Sequence, residues 1–182
     1  MTARHDDTPE TLILTRLDGP LGAMLLVTDE AGVVRALDFA DFESRTRRLM
    51  RLHYGATPLV AGAPPAEIVV VLERYFAGEA GALSTVHWAT GGTDFQRSVW
   101  RALTEIRVGE TDSYAGLAAR IGRPTAVRAV GLANGSNPVG IIVPCHRVIG
   151  KSGALTGYAG GVERKRWLLD HERRWAERRV AA

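Results

Sequence analysis

The sequence predicts an α+β fold: a small N-terminal α+β scaffold domain over residues 1–90, then a mostly helical C-terminal domain over residues 91–182 with a helix-turn-helix. Three observations predict it. Short apolar runs bounded by turn signals come first, and helical periodicity dominates after residue 93. The charge also changes sign between the two parts. Residues 1–94 carry 8 Lys and Arg against 13 Asp and Glu, a net −5, whereas residues 95–182 carry 15 against 7, a net +8. A chain of 182 residues suffices for one large core or two small ones.

Leu12 to Leu17, Leu21 to Thr28 and Val33 to Phe39 read as three strands, separated by Asp18-Gly19-Pro20 and Asp29-Glu30-Ala31-Gly32. A helix follows from Phe42 to Tyr54. After the break Gly62-Ala63-Pro64-Pro65, a second runs from Ala66 to Ala77 and stops at Gly78. Leu83 to Trp88 reads as one more strand. No constellation here suggests chemistry. The boundary falls at Ala89-Thr90-Gly91-Gly92.

Thr93-Asp94-Phe95-Gln96 is a capping box, and Phe95, Val99, Leu103 and Ile106 share one helical face behind it. Ser113 suits the N-cap of a helix whose inner face carries Leu117, Ala118 and Ile121, and Gly122 suits its stop. The next helix, from about Pro124 to Asn134, is rich in small residues: Ala126, Ala129, Gly131 and Ala133. Two short helices joined by a glycine turn match a DNA-docking pair, with Arg128 as the long cation in the middle of the second. Tight packing between helices asks for small residues too, so this pattern alone leaves both readings open.

Composition excludes several classes. Hydrophobic residues at 46% and charged residues at 24% are those of an ordinary soluble globular protein. The first ten residues are polar and acidic, unlike a secretory signal, and no apolar run approaches the roughly 20 residues of a membrane span. A cytoplasmic protein with no membrane association is expected. One cysteine precludes an internal disulfide, and five scattered histidines lack paired ligand spacing, so neither metal nor cofactor is expected. The basic C-terminal half nominates a polyanion as partner.

The most informative segment is Ile141-Ile142-Val143-Pro144-Cys145-His146-Arg147-Val148. A lone cysteine is often just a small buried hydrophobe. Here Pro144 can begin a short helix whose N-terminal field favours a thiolate, while His146 and Arg147 offer a base and a fixed positive charge. In the last helix Leu168, His171, Glu172 and Trp175 share one face, which turns Glu172 inward. An inward carboxylate needs a partner, and an imidazole that activates a thiol is one. A surface carboxylate served by Arg173 or Arg174 is the other reading.

These residues resemble the O6-alkylguanine-DNA alkyltransferases. The segment Ile142-Val143-Pro144-Cys145-His146-Arg147-Val148 carries the resemblance most specifically. It is joined in order by Gly92 to Trp100, Ser113-Tyr114, Arg128-Ala129-Val130-Gly131, Asn137-Pro138, Gly157 to Gly161 and Trp167 to Glu172. The resemblance implies that Cys145 accepts the alkyl group, with His146 as its base through a water and Glu172 orienting the imidazole. Tyr114 would help extrude the nucleotide and donate a proton. Arg128 would fill the vacated stack. Asn137 would bridge the helix pair to the cysteine turn, and Val148, Tyr158 and Ala159 would line the site of the flipped base.

The implied partner is double-stranded DNA containing alkylated bases, bound from the minor groove by a helix bearing Ala126, Ala129 and Gly131. The implied protein is a monomer, with cooperative loading on DNA left open. Many relatives have proline where this chain has Val108, and some have it where this chain has Gly140, which would loosen the segment before Cys145. The rival expectations are a lesion-recognising DNA-binding protein without transfer, a cysteine hydrolase and a purely structural bundle.

Overall fold

A computed structural model describes residues 8–155 and 157–181; the first seven residues, including the start of the acidic N-terminal stretch and His5, lie outside the described residues. The first half forms a four-stranded sheet in the order β3-β2-β1-β4, from β1 (Leu12–Leu17), β2 (Met24–Asp29), β3 (Val34–Phe39) and β4 (Leu59–Ala61). β1, β2 and β3 are an antiparallel meander, and β4 runs parallel to β1 at the edge. α1 (Glu43–Tyr54) and α2 (Ala66–Phe76) complete this half.

Asp29 shows how the β2–β3 turn is closed. Its Oδ1 accepts from the backbone of Ala31 and Val33, and its Oδ2 receives Arg35 Nε and Nη2 at 2.8 and 2.6 Å. Every residue of β2 and β3 is buried, because both sheet faces are covered. On one face Leu12, Val27 and Ala36 pack with Leu49, Met50 and Tyr54 near α1. On the other, Leu26, Leu37 and Phe39 enter the main core, which continues through Leu72, Val99, Trp100, Leu117, Val130, Val143 and Leu168. That core crosses the Ala89 to Gly92 segment, so the two halves are packed on one another.

The second half contains α3 (Asp94–Thr104), α4 (Tyr114–Arg120), α5 (Val127–Gly135) and α6 (Val162–Val180). Two-residue strands β5 (Asp112–Ser113) and β6 (Val148–Ile149) pair in parallel. The Thr93 capping box forms in both directions, and Ser113 Oγ accepts from Gly116 N at 2.9 Å to cap α4. Gly122 has φ +70, the left-handed stop for which glycine is suited, and residues 121–126 turn the chain onto α5. Trp100 Nε1 donates to Ala133 O at 2.8 Å and ties α3 to α5.

Three expectations change, and one strand is added. Leu83 to Trp88 is not a strand: Ala82–Thr85 forms a one-turn 3-10 helix, and only an isolated bridge between Val34 and Trp88 joins the sheet. β4 takes the edge position instead, from a Pro58-flanked triplet too short to show a period. The second strand starts at Met24 rather than Leu21, because Gly22 sits at φ +104 in the preceding turn. The helix expected from Pro124 starts at Val127, since Ala126 N bonds Arg123 O in a turn before the helical bonds begin.

Candidate active site

Cys145, His146 and Arg147 form a single 3-10 turn between the 136–144 segment and β6. Three residues are too few to build a useful helix dipole, so the field expected from a helix beginning at Pro144 is not what acts on the thiol. The turn is held from outside. β3 pairs with the segment before it: Leu37 N donates to Pro138 O at 2.9 Å, and Gly140 N donates to Leu37 O at 2.8 Å. A proline at 140 would lack that second donor, so Gly140 pins the segment rather than loosening it.

Ile141, buried and β-branched, has φ +68, a conformation such residues rarely adopt. The surrounding bonds over-determine it, which is how strain persists beside a reactive group. Asn137 is central among them. Buried to 2% exposure, it donates from Nδ2 to Val143 O at 2.8 Å and accepts Val139 N at 3.0 Å.

The thiol is 5% exposed. Burial pushes its pKa up, opposed by a hydrogen bond from Asn137 and by the charges of Arg45 and Lys165. Both cations lie outside the resemblance motifs. Lys165, on α6, is fully buried, with Nζ donating to Val148 O at 2.6 Å; burial lowers its pKa and the nearby Cys145 opposes the fall. Arg45, on α1, pairs with Asp38 and donates to Gly135 O at 2.8 Å and Asn137 O at 3.0 Å. Sequence reasoning missed both because the aligned patterns of α1 and α6 give no sign of which basic residue turns inward.

His146 and Glu172 are both fully buried, with His146 Nε2 2.9 Å from Glu172 Oε1. Burial alone would raise the Glu172 pKa, but the His146 and Arg147 charges and hydrogen bonds hold it well below the usual carboxylate range. An ionised carboxylate only accepts, so Nε2 carries a proton, and in the neutral form of the ring the lone pair is then on Nδ1. Nδ1 is buried with no hydrogen-bond partner among the described residues.

Arg147 is turned to Glu172, not to the thiol. Its Nε donates to Oε2 at 2.7 Å, Nη2 to Oε1 at 3.0 Å, and Nη1 to Ile106 O at 2.5 Å. Neither Arg173 nor Arg174 serves the carboxylate; Arg173 pairs with Asp170.

Tyr114 opens α4 and lies near α5: a Cβ on Gly131 would sit 3.8 Å from its ring, and one on Gly157 3.8 Å from its hydroxyl. Burial and then Cys145 raise its pKa, so the phenol stays protonated. Tyr158 is a ring on the main core, 6.4 Å edge-on from His146, and its pKa is raised well by burial and then Cys145. Cys145, His146, Glu172, Asn137, Tyr114, Val148 and Tyr158 are thus brought to one region. Val148 O already accepts from Lys165. Ala159 is half-buried in the same loop.

Arg128 and Ala129 are exposed on α5, with Ala126 and Gly131 half-buried. Leu132, one turn beyond Arg128, is 77% exposed; no amphipathic pattern distinguished it. Among the described residues no group of three His, Cys, Asp or Glu could hold a metal ion, and no helix is long and apolar enough to cross a membrane.

Fold and site define a protein built around one buried cysteine beside a buried histidine–carboxylate pair, with the α4–α5 helix pair next to it. The chain belongs to the methylated-DNA–protein-cysteine methyltransferase family. Residues 94–174 match the family model described as the DNA-binding domain of 6-O-methylguanine DNA methyltransferase. The Salmonella typhimurium methylated-DNA–protein-cysteine methyltransferase is 47% identical over 88% of this chain and 95% of that one. The Mycobacterium tuberculosis protein of the same name is 48% identical over 86% and 90%.

Among solved structures, Mycobacterium tuberculosis OGT in complex with DNA superposes with a TM-score of 0.76 at 41% identity, covering 90% of this chain and 94% of that one. The methyltransferase of the archaeon Pyrococcus kodakaraensis gives a TM-score of 0.68 at 25% identity, covering 89% and 99%.

Proposed function

We propose that this chain repairs DNA by moving the alkyl group of O6-alkylguanine, and of O4-alkylthymine, onto Cys145 Sγ in one irreversible step. The observation that carries the reading is the Cys145 turn joined to a His146–Glu172 pair whose Nδ1 is left as an unpaired base. The alkyl carbon is saturated, so transfer is an in-line displacement by a soft nucleophile. His146 Nδ1 takes the thiol proton through a bridging water. Sulfur then bonds to the alkyl carbon as the carbon–oxygen bond breaks and its electron pair returns to the base. Tyr114 gives the departing base a proton and regains one from the imidazolium through solvent. The thioether has no good leaving group, so each molecule acts once.

Glu172 holds the imidazole, and Asn137 links the helix pair to the cysteine turn. A base within a duplex cannot reach a buried sulfur, so the reading requires the nucleotide to be flipped out, costing a few kcal/mol. Arg128 enters the vacancy. α5 lies in the minor groove, where Ala126, Ala129 and Gly131 let its backbone come close and exposed Leu132 adds an apolar contact. The extruded base lies against Val148, Tyr158 and Ala159.

In this reading residues 1–90 are scaffold, residues 91–182 carry DNA binding and transfer, and the protein acts as a cytoplasmic monomer. A lesion-binding protein without transfer would have no use for an activated thiol. The Cys145→Ser variant tests the assignment: duplex affinity stays within about twofold while transfer from an O6-methylguanine duplex is abolished. Equal loss of both in a folded variant contradicts the role given to the sulfur.

A further inference from the structure

We propose that Tyr75, on α2 in the first half of the chain, is a positioning residue for the thiol-activating pair, holding Glu172 Oε1 on His146. The inference rests on the reading of His146 and Glu172 as base and orienter, and extends that machinery across the fold. Tyr75 is fully buried, and its hydroxyl lies 3.0 Å from Glu172 Oε1. The carboxylate is an acceptor, so the phenol donates.

Oε1 therefore faces three donors: His146 Nε2 at 2.9 Å, Tyr75 Oη at 3.0 Å and Arg147 Nη2 at 3.0 Å. Oε2 takes Arg147 Nε at 2.7 Å. Arg147 thus grips both oxygens, and a guanidinium fork draws a carboxylate toward a symmetrical bidentate seat. Tyr75 pulls Oε1 from another element, and keeps it from being drawn off the imidazole as Arg147 closes.

The rest of Tyr75 is fixed to the helix that carries Glu172. Its carbonyl lies 2.6 Å from His171 Nε2, and its ring is 5.1 Å from that imidazole, which stacks on Trp167 at 4.6 Å. Phe76 meets the ring edge-on at 5.2 Å. Burial, and then the Glu172 charge, raise the phenol pKa well, so the donor persists through the working range. The first half of the chain thereby sends a polar group to the chemistry, beyond the scaffold role its sequence suggests.

The test is Tyr75→Phe in the full chain, which keeps the ring and removes the donor. Single-turnover methyl transfer from an O6-methylguanine duplex is expected to fall about tenfold, equivalent to ~1.4 kcal/mol of barrier. Duplex affinity stays within about twofold, and the His146 Nε2 proton resonance moves upfield. Phe76→Leu, which disturbs the same layer but removes no donor, lowers thermal stability and leaves rate and resonance unchanged.

A Tyr75→Phe variant with wild-type rate and wild-type His146 resonance overturns the proposal. If the wild-type protein itself fails to become alkylated, the underlying reading falls instead. Should Tyr75→Phe not fold, the wild-type spectrum decides: a slowly exchanging Tyr75 hydroxyl proton with a cross-peak to the His146 Nε2 proton is expected, and its absence in the folded protein refutes the contact.

Discussion

Glu172→Gln keeps the side chain's volume and one oxygen acceptor but removes its charge. Arg147, 8% exposed, then loses its counterion in a site where Glu172 is fully buried. Breaking a buried pair on one side costs about 3–5 kcal/mol, mostly from the charge left behind. The amide also turns an N–H toward His146 Nε2, Tyr75 Oη or Arg147, each of which is a donor to the carboxylate. The imidazole is freed to change tautomer, and the lone pair is no longer fixed on Nδ1.

General-base assistance of this kind is worth about 10²- to 10⁴-fold, so single-turnover transfer should fall by about that range. Quenched single-turnover assays with protein in excess over an O6-methylguanine duplex give the rate, and urea unfolding at 25 °C gives the stability change. The pH dependence has a definite sign. The wild-type carboxylate is held below its unfolded pKa, so its stabilisation is present at neutral pH and lost as pH falls through the depressed value. The variant should lose that part of the acid slope. A Glu172→Gln protein as stable and as reactive as wild type would refute both the ion pair and the orienting role.

Other perturbations give separate tests. His53 packs 5.9 Å from Trp100, with Nε2 buried and unpartnered among the described residues, and burial lowers its pKa to about 4. The unfolded imidazole binds protons near pH 6.5 and the folded one does not. With screening by solvent at this partly exposed ring, stability should fall by about 1 kcal/mol between pH 7 and pH 5 on this account, and His53→Gln should lose that part of the slope in urea titrations. Arg128→Ala should slow transfer at least tenfold from duplex DNA and much less from the free modified base, because only the duplex leaves a gap to fill.

A Cβ on Gly160 would meet Phe39 at 2.8 Å and Tyr158 at 2.7 Å. Gly160→Ala should therefore cost about 1–3 kcal/mol in thermal denaturation and loosen the loop holding Tyr158 and Ala159. Unchanged stability would mean that the loop is not pressed against the sheet.

What was legible in the sequence was local. Thr93, Ser113 and Gly122 marked caps and a stop because capping depends on residues within a few positions, and the first strand was readable from Leu12 to Leu17 because turn signals bounded it. The face shared by Leu168, His171 and Glu172 was readable, but it left an inward and a surface carboxylate equally open, and the fold decides for the inward one. Contacts joining distant segments were not. Nothing in α1 or α2 announces that Arg45 reaches Asn137 O or that Tyr75 reaches Glu172, 97 positions away. Arg147 stands next to the cysteine in sequence, where it suggests a cation for the thiol; only the fold shows it turned away to Glu172. The short edge strand β4 was hidden because it depends on β1 for its bonds rather than on a period of its own.

The sulfur is the point on which the account stands, and weighing the intact protein tests it most directly. Titrated with a duplex bearing one O6-methylguanine, the protein should gain about 14 Da on Cys145 alone, one equivalent per lesion, and stay that way. Turnover of several lesions per molecule with the protein's mass unchanged, or a fully folded protein left unmodified by excess lesion, would contradict it.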